Sequence, residues 1–306
     1  MRSVVVLGLA LALALALALA SAAQAAAPAI FFDDFSDADT AALAAAGWTL
    51  RTTAGHPGVP GARWTPELIS LVDDPQRPGN RLLRLEARTD GTPQGTSQTQ
   101  LCQARKFLRG TYAARIRFND RPLSGLDGDP VIQTFYAVAP LKYDFDPSFS
   151  EIDFEYLPNG GWGHPDTRLY AISWQTVQIE PWQAFNASHE ERRALDSWHL
   201  LTAQVAQNHV RMFLDGRELA RHAGRNVPVQ PMAISFNLWF SPGGLLPASA
   251  EPRVWRQDVD WVFHARDALL SPAQVEAAVQ AQRRAGHRRI DTVPAAAPAL
   301  DNRCDF

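Results

Sequence analysis

Three acidic residues in the segment Glu151-Ile152-Asp153-Phe154-Glu155 have a spacing that suits catalysis. On a β-strand successive side chains point to opposite faces, so the three carboxylates would share one face while Ile152 and Phe154 enter the core. Like charges on one face repel, and a sheet gains no stability from them. They become useful if one carboxyl group stays protonated while another stays ionised, as glycoside hydrolysis requires. The alternative is an amphipathic edge strand with a solvated acidic face.

The spacing along such a strand can be compared with the geometry that the reaction needs. A retaining glycosidase holds its nucleophile and its acid about 5–5.5 Å apart. The Cα atoms of Glu151 and Glu155 would lie roughly 13 Å apart on a strand, but two long side chains leaning toward one sugar close much of that gap. Asp153 lies between them and can make the two glutamates unequal in proton affinity.

The N-terminus has the composition of a secretory signal peptide. Arg2 forms a short basic region, Val4 to Ala20 is a Leu/Ala/Val run, and Ala23-Gln24-Ala25 fits the small-x-small cleavage rule. We expect a signal peptide over residues 1–25, cleavage after Ala25, and a secreted protein, extracellular or periplasmic. A transmembrane anchor is the alternative, because the apolar run approaches the lower length limit for a span.

Charge and length narrow the remaining classes of function. Loss of Arg2 with the signal changes the formal charge of −3 to −4, which argues against a nucleic-acid partner. The remaining chain of roughly 280 residues is within the range of one large β-sandwich domain. We therefore expect a single domain over residues 26–306, with no membrane span after cleavage.

The two cysteines, Cys102 and Cys304, both lie beyond the predicted signal peptide. An even number of cysteines in an exported chain favours a disulfide, although two unpaired thiols remain the alternative.

Short alternating runs separated by Gly- and Asp-containing turns dominate the chain and predict an all-β protein. Asp215-Gly216 after Val210 to Leu214 is a strong hairpin signal. Neither a 20–50-residue repeat nor a βαβ alternation is present, so the expected architecture is a two-sheet antiparallel β-sandwich. The predicted strands are Ile30 to Phe35, Arg81 to Ala87, Gly110 to Phe118, Val131 to Ala137, Ser150 to Leu157, Arg168 to Trp174, Trp198 to Val205, His209 to Leu214, Ala233 to Trp239 and Asp258 to His264.

One helix is predicted near the C-terminus, from about residue 271. Ser271 is the expected N-cap, Pro272 the first helical residue, Gln274 the partner in a capping box, and Gly286 the stop signal. A Pro/Ala-rich tail follows. Long loops that are expected to line a substrate groove span residues 54–66, 121–130 and 139–148.

The acidic segment and several others resemble glycoside hydrolase family 16, whose signature is Glu-aliphatic-Asp-apolar-Glu on a strand of a concanavalin-like jelly roll. The similarity runs over most of the chain beyond the predicted signal peptide. The segments that carry it besides Glu151 to Glu155 are Phe32 to Phe35, Gln103 to Ile116, Val131 to Tyr136, Trp198-His199, Val210 to Gly216, Phe236 to Trp239 and Val259 to Val262.

The resemblance implies a role for each acidic residue. Glu151 would be the nucleophile, Glu155 the general acid/base, and Asp153 the residue that tunes them. The single residue between Asp153 and Glu155 is typical of the lichenase and xyloglucan-transglycosylase branches. Lichenases have Trp where this chain has Phe149, so substrate identity does not carry over.

Sugar contacts are expected from the family pattern and from aromatic side chains, which stack on pyranose rings. The family pattern places Asn237 and Trp239 near the cleavage point. Trp162 and Trp174 follow the acidic strand, and Tyr136 precedes it by one strand. Each of these aromatic residues could instead belong to the core.

Metal sites are predicted only in a structural role. Asp260 resembles the position at which lichenase-like relatives hold a structural Ca²⁺, and a surface Asp is the alternative. The eight histidines show no zinc spacing, so we expect no catalytic metal or other catalytic cofactor.

Together these observations predict a monomeric jelly-roll sandwich with an open groove and a short C-terminal helix. Its predicted activity is endo-hydrolysis of β-glycosidic bonds in a polysaccharide, most simply a β-1,3-1,4- or β-1,3-glucan, with retention. A transglycosylase would use the same residues, and a lectin-like carbohydrate-binding protein would have the fold without the chemistry.

Overall fold

The computed structural model describes residues 27–37, 39–301 and 304. The predicted signal peptide and its cleavage point after Ala25 lie outside these residues. Along the described part of the chain, strands are short and antiparallel, and they assemble into two packed sheets with a C-terminal helix. The predicted all-β sandwich is confirmed.

The front sheet carries the acidic strand. Its strands, in spatial order, are β2 (Trp48–Leu50), β6 (Ser97–Gln103), β15 (Ala233–Phe240), β8 (Val131–Val138), β9 (Glu151–Leu157), β10 (Arg168–Gln178) and β11 (Gln183–Glu191). We call the side of this sheet that is turned away from the core the front face.

The back sheet is organised around the long strand β16 (Arg253–Arg266). This strand pairs with β7 (Gly110–Arg117) on one side and with β5 (Arg81–Thr89) and then β1 (Ile30–Asp33) on the other. The further strands of this sheet are β4 (Ile69–Asp73), β12 (Trp198–Val205), β13 (His209–Leu214), β14 (Arg217–Ala223) and β17 (Arg289–Asp291). The short β3 (Arg63–Trp64) pairs in parallel with β6.

The core lies between the sheets and is rich in aromatic side chains. Phe135, Phe154 and Phe236 come from three neighbouring front strands. The ring centroid of Phe135 lies 5.3 Å from that of Phe236 and 6.3 Å from that of Phe154. Ala114 and Leu201 of the back sheet belong to the same buried cluster. The core thus holds the backbone of the acidic strand from behind.

The helices are short. Helix α1 (Thr40–Ala45) begins at Asp39, whose carboxylate accepts a hydrogen bond from the Ala42 backbone N–H. Helix α2 (Pro272–Arg284) has the predicted capping box between Ser271 and Gln274. Single 3₁₀ turns span Pro66–Leu68 and Gly224–Asn226. No helix within the described ranges is long and apolar enough to cross a membrane.

Several strands differ from the prediction in their bounds or in their presence, and two of these differences have a clear local reason. The opening strand ends at Asp33 instead of Phe35, because Phe35 has a positive φ of 56° and its N–H donates to the Asp33 carboxylate at 2.9 Å. Strand β6 was not predicted, because its amide-rich sequence Ser-Gln-Thr-Gln lacks the usual alternation of apolar and polar residues. All of β6 is nevertheless buried.

Candidate active site

Strand β9 presents its three carboxylates on the front face. Ile152 and Phe154 belong to the buried core cluster, so Glu151, Asp153 and Glu155 must point the other way. The predicted alternation along this strand is therefore confirmed.

Register across the front sheet defines a row of side chains for each carboxylate. Glu155 lies opposite Thr134 on β8, which in turn lies opposite Asn237 on β15. The Thr134 hydroxyl donates a hydrogen bond to the Asn237 side-chain oxygen. Tyr170 of β10 completes this row on the other side of Glu155.

The other two rows carry further predicted residues. Asp153 lies opposite Tyr136, and Glu151 lies opposite Trp174. Antiparallel partners share a face, so these aromatic side chains lie beside the carboxylates, and their contact with sugar stays a prediction. Phe149 is buried among apolar neighbours at the Glu151 end. It packs in the same cluster as Tyr136 and Trp174, and a direct contact of Phe149 with sugar stays a prediction.

Trp162 makes a direct contact with Glu155. Its indole Nε1–H donates to Glu155 Oε2 at 3.2 Å, and its ring centroid lies 5.9 Å from that of Trp239. Trp162 has a positive φ of 53° and lies in a tight turn closed by the Gly161–His164 bridge. With 43% of its surface exposed, it stands at the rim of the site, whereas Trp239 is buried.

Burial dominates the proton affinities of the carboxylates, of which 4–7% of the surface is exposed. Loss of hydration raises the pKa of Glu155 to about 7, against the opposing effect of the Trp162 N–H. Burial also raises the pKa of Glu151 and of Asp153 well above the ordinary range, and the neighbouring Glu155 charge adds to both shifts. The site therefore holds protons at neutral pH that exposed carboxylates would lose.

Several polar atoms on the front face have no hydrogen-bond partner among the described residues. These atoms include Glu151 Oε2, Asp153 Oδ1, Trp174 Nε1 and Trp239 Nε1. Buried polar groups are normally paired, so unpaired acceptors beside an unpaired donor indicate a place for a ligand rich in hydroxyl groups.

The front face is not the open groove that the sequence predicted. The loop of residues 51–62 follows β2 at one edge, and the turn of residues 179–182 joins β10 to β11 at the other. The two meet where the His56 ring stacks on Trp182, with centroids 5.4 Å apart and an interplanar angle of 26°. We call this contact the bridge.

The predicted disulfide between Cys102 and Cys304 is present, with Cα atoms 5.4 Å apart. Cys102 lies opposite Ser235 on β15, and Ser235 lies opposite Tyr136. Cys102 therefore lies on the front face, in the same row as Asp153. The disulfide holds Cys304 on the front face, three strands away from the carboxylates.

Comparison with known proteins supports the fold. No family model and no curated protein matches the chain. Among solved structures, a β-glucanase of Bacillus licheniformis matches with a TM-score of 0.56 and 15% identity, over 78% of this chain and 98% of the other. The fold is the family-16 jelly roll.

Two further structures with this jelly roll show the same extent of similarity. A β-1,3-1,4-glucanase (lichenase) from a mouse hindgut metagenome matches with a TM-score of 0.55 and 19% identity, over 78% of this chain and 99% of the other. A family-16 endo-glucanase from Bacteroides ovatus matches with a TM-score of 0.57 and 16% identity, over 76% and 98%.

The residues around Asp260 do not suit the predicted calcium ion. The Asp260 side chain is fully buried and contacts Arg115 at 2.9 Å, Arg283 at 2.7 Å and Arg77 at 3.3 Å. Asn80 donates a further hydrogen bond at 2.9 Å. A calcium ion at this carboxylate would face three guanidinium groups, which already supply the positive charge. Among the described residues, no group of three or more acidic, His or Cys side chains is arranged to hold a metal ion.

Sequence reasoning missed residues that reach the site from distant segments. Thr134 and Tyr170 could have been found from the strand alternation of their predicted strands. His56 and Trp182 lie in loops, where no periodicity indicates a direction. Gln98 and Gln100 of β6 bind the 51–62 segment from the front face. Their amide-rich run was the signal in the sequence that could have indicated this role.

Proposed function

We propose that the protein is a secreted, retaining glycoside hydrolase that cleaves internal β-glycosidic bonds of a β-glucan. The observation that carries the proposal is the row Glu151, Asp153 and Glu155 on the front face of the jelly roll. The similar solved structures include a β-glucanase, a lichenase and a family-16 endo-glucanase, which supports glucan as the substrate.

Glu155 has the properties of the general acid. With a pKa of about 7 it keeps its proton near neutral pH and can release it to the leaving glycosidic oxygen. Once deprotonated, the same carboxylate can activate the water that hydrolyses the intermediate. The Trp162 N–H fixes one of its oxygens and favours the ionised form in that second step.

Glu151 is assigned as the nucleophile. It attacks the anomeric carbon while the bond to the leaving oxygen breaks, and the covalent glycosyl-enzyme is then released by water. Asp153 lies between the two glutamates and is coupled to both, so ionisation of one carboxyl group of the row opposes ionisation of the others. Entry of a sugar brings hydroxyl donors to Glu151 Oε2 and Asp153 Oδ1, which favours their ionised forms.

The test is release of reducing ends from purified polysaccharides. The panel contains mixed-linkage β-glucan, laminarin, xyloglucan, agarose, carrageenan and galactan, with Glu151→Gln run alongside wild type. We expect cleavage of mixed-linkage β-glucan or laminarin and a loss on the order of 10⁴-fold or more in the variant, by analogy with the removal of other catalytic nucleophiles.

Two outcomes would contradict the proposal. Activity that survives in a folded Glu151→Gln protein would remove Glu151 as the nucleophile. Binding of β-glucan by wild type without any release of reducing ends would instead indicate the lectin-like alternative. Retention is tested separately by NMR of the first anomer formed.

A further inference from the structure

The bridge joins segments that start at opposite sides of the carboxylate row. Strands β6 and β10 are separated by β15, β8 and β9, which corresponds to about 19 Å at the usual strand spacing. The 51–62 segment rests on β6, and the 179–182 turn extends from β10. Their contact through His56 and Trp182 therefore requires both segments to reach over the front face.

The 51–62 side of the bridge is anchored by Arg51. Its guanidinium donates to the His56 carbonyl at 3.0 Å, to the Thr53 carbonyl at 2.8 Å and to Gln100 Oε1 at 2.9 Å. The same group lies 4.2 Å from the centroid of the Trp64 ring. The Trp64 indole N–H in turn donates to the Gly55 carbonyl at 3.3 Å. The position of the His56 backbone is thus fixed from β6.

The 179–182 side is anchored by an aromatic contact. Trp182 meets Trp174 edge to face, with centroids 6.1 Å apart and an angle of 79°. Trp174 lies in the same row as Glu151. Trp182 is still 53% exposed, so it is a surface residue that leans inward and not part of the core.

Front-face side chains such as Trp162 cover the carboxylates, and the bridge lies at the Glu151 end of the row, where Trp182 meets Trp174. The carboxylates lie on the outward face of an outer layer, where side chains are ordinarily wet, yet at most 7% of their surface is exposed. Asn237 and Tyr136, which flank them, are buried as well. A polysaccharide chain that approaches the Glu151 end of the row from outside would therefore meet the bridge.

We propose that His56 and Trp182 are specificity-determining residues, which admit an unbranched glycan chain to the carboxylates and exclude one that bears side branches. The inference rests on the proposed function for its substrate class. A linear chain presents a narrower profile to the bridge than a branched chain does. A branch on a sugar near the cleavage point would project outward into the stacked rings.

The first experiment measures access to the carboxylates and needs no catalysis. Wild type, His56→Ala and Trp182→Ala are treated with a water-soluble carbodiimide and glycine ethyl ester, and labelling of Glu151, Asp153 and Glu155 is followed by mass spectrometry. We expect the labelling rate to rise several-fold in both bridge variants. Phe185→Ala is the matched control, because Phe185 is an exposed aromatic residue of the same hairpin that contacts Phe145.

The second experiment measures specificity. We expect Trp182→Ala and His56→Ala to raise the ratio of kcat/KM on xyloglucan to kcat/KM on mixed-linkage β-glucan by about tenfold, which corresponds to about 1.4 kcal/mol. Phe185→Ala should leave the ratio unchanged. All variants are first checked for an unchanged thermal midpoint, and either bridge variant suffices if the other fails to fold.

The outcomes separate the bridge from the proposed function. Unchanged labelling in both variants would overturn the bridge as a barrier, and increased labelling with an unchanged ratio would overturn its role in specificity. Increased labelling without hydrolysis of any polymer by any variant would support the barrier and count against the proposed function.

Discussion

Glu155 is subject to two opposing influences. Burial raises its pKa to about 7, and the indole N–H of Trp162 acts in the other direction by binding the ionised carboxylate. The balance suits a group that must give up a proton in one step and take one in the next. The hydrogen bond to Glu155 is a contact of Trp162 that the sequence did not predict.

The indole hydrogen bond can be tested by Trp162→Phe, which keeps an aromatic ring but removes the donor. The pKa of Glu155 should rise, so the alkaline limb of kcat/KM against pH, which reports loss of the acid's proton, should move to higher pH. Trp198→Phe is the control, because Trp198 packs against Arg115 on the back sheet. An alkaline limb that stays in place would show that Trp162 does not tune Glu155.

The raised pKa of Glu155 also predicts a cost in stability. Between its unfolded pKa, near 4.3, and its folded pKa, near 7, the native state binds the proton more strongly, so stability falls as pH rises through this window. Glu155→Gln removes this titration and should stabilise the protein at pH 8 by up to a few kcal/mol, with little effect at pH 4.

Urea unfolding at pH 4 and pH 8 measures the effect of Glu155→Gln. Glu251→Gln, at an exposed position, is the control. Equal changes in unfolding free energy at both pH values would mean that Glu155 is not protonated preferentially in the folded protein.

The loops around the site depend on a buried ion pair. Arg253, at the start of β16, binds Asp129 through two nitrogen atoms at 2.6 and 3.0 Å. The same guanidinium donates to the Leu246 carbonyl at 3.2 Å. The pair therefore fixes the segment before β8 to the segment before β16.

Arg253→Ala should destabilise the protein strongly, because it leaves Asp129 as a buried charge without its partner. We expect a loss of roughly 3–5 kcal/mol in the free energy of unfolding. Arg217→Ala is the matched control, since Arg217 is 55% exposed in its pair with Glu191 and should cost less than about 1 kcal/mol. Similar losses in urea unfolding for the two variants would contradict the special role of the buried pair.

The strands show where sequence reasoning succeeds. Trp198–Val205 and His209–Leu214 have the predicted bounds, because each alternates between faces and ends at a clear turn signal. Strand β9 was predicted for the same reason, and its carboxylates followed from the alternation. These features are local, so a single stretch of sequence contains them.

The bridge and the surroundings of Asp260 show where sequence reasoning fails. His56 and Trp182 meet because the loops that follow β2 and β10 extend over the same face of the front sheet. Neither loop has a sequence pattern that predicts its partner. Asp260 looks like a calcium ligand along the chain. Its arginine neighbours come from a loop, from β7 and from α2, so their convergence exists only in the fold.

The disulfide links the whole molecule, from β6 to the last described residue. It closes a loop with a sequence separation of 202 residues. In the unfolded chain such a loop removes conformational entropy worth roughly 4–5 kcal/mol. It also fixes the C-terminal segment on the front face.

Cys304→Ala should lower the free energy of unfolding by roughly 4–5 kcal/mol on the chain-entropy account. Reduction of wild type should have a similar effect, and a reductant should leave the variant unchanged. Guanidinium unfolding with and without reductant provides the measurement. A variant as stable as wild type would show that the disulfide at Cys304 does not stabilise the protein.

The three guanidinium groups around Asp260 have a consequence for the medium in which the protein can work. Arg115 belongs to β7 and Arg283 to α2, so the charges that attach the helix to the back sheet are covalent parts of the chain. A chelator cannot remove them, and dilution cannot release them. At this point of the fold, the attachment of the helix is therefore equally secure in calcium-poor and calcium-rich water.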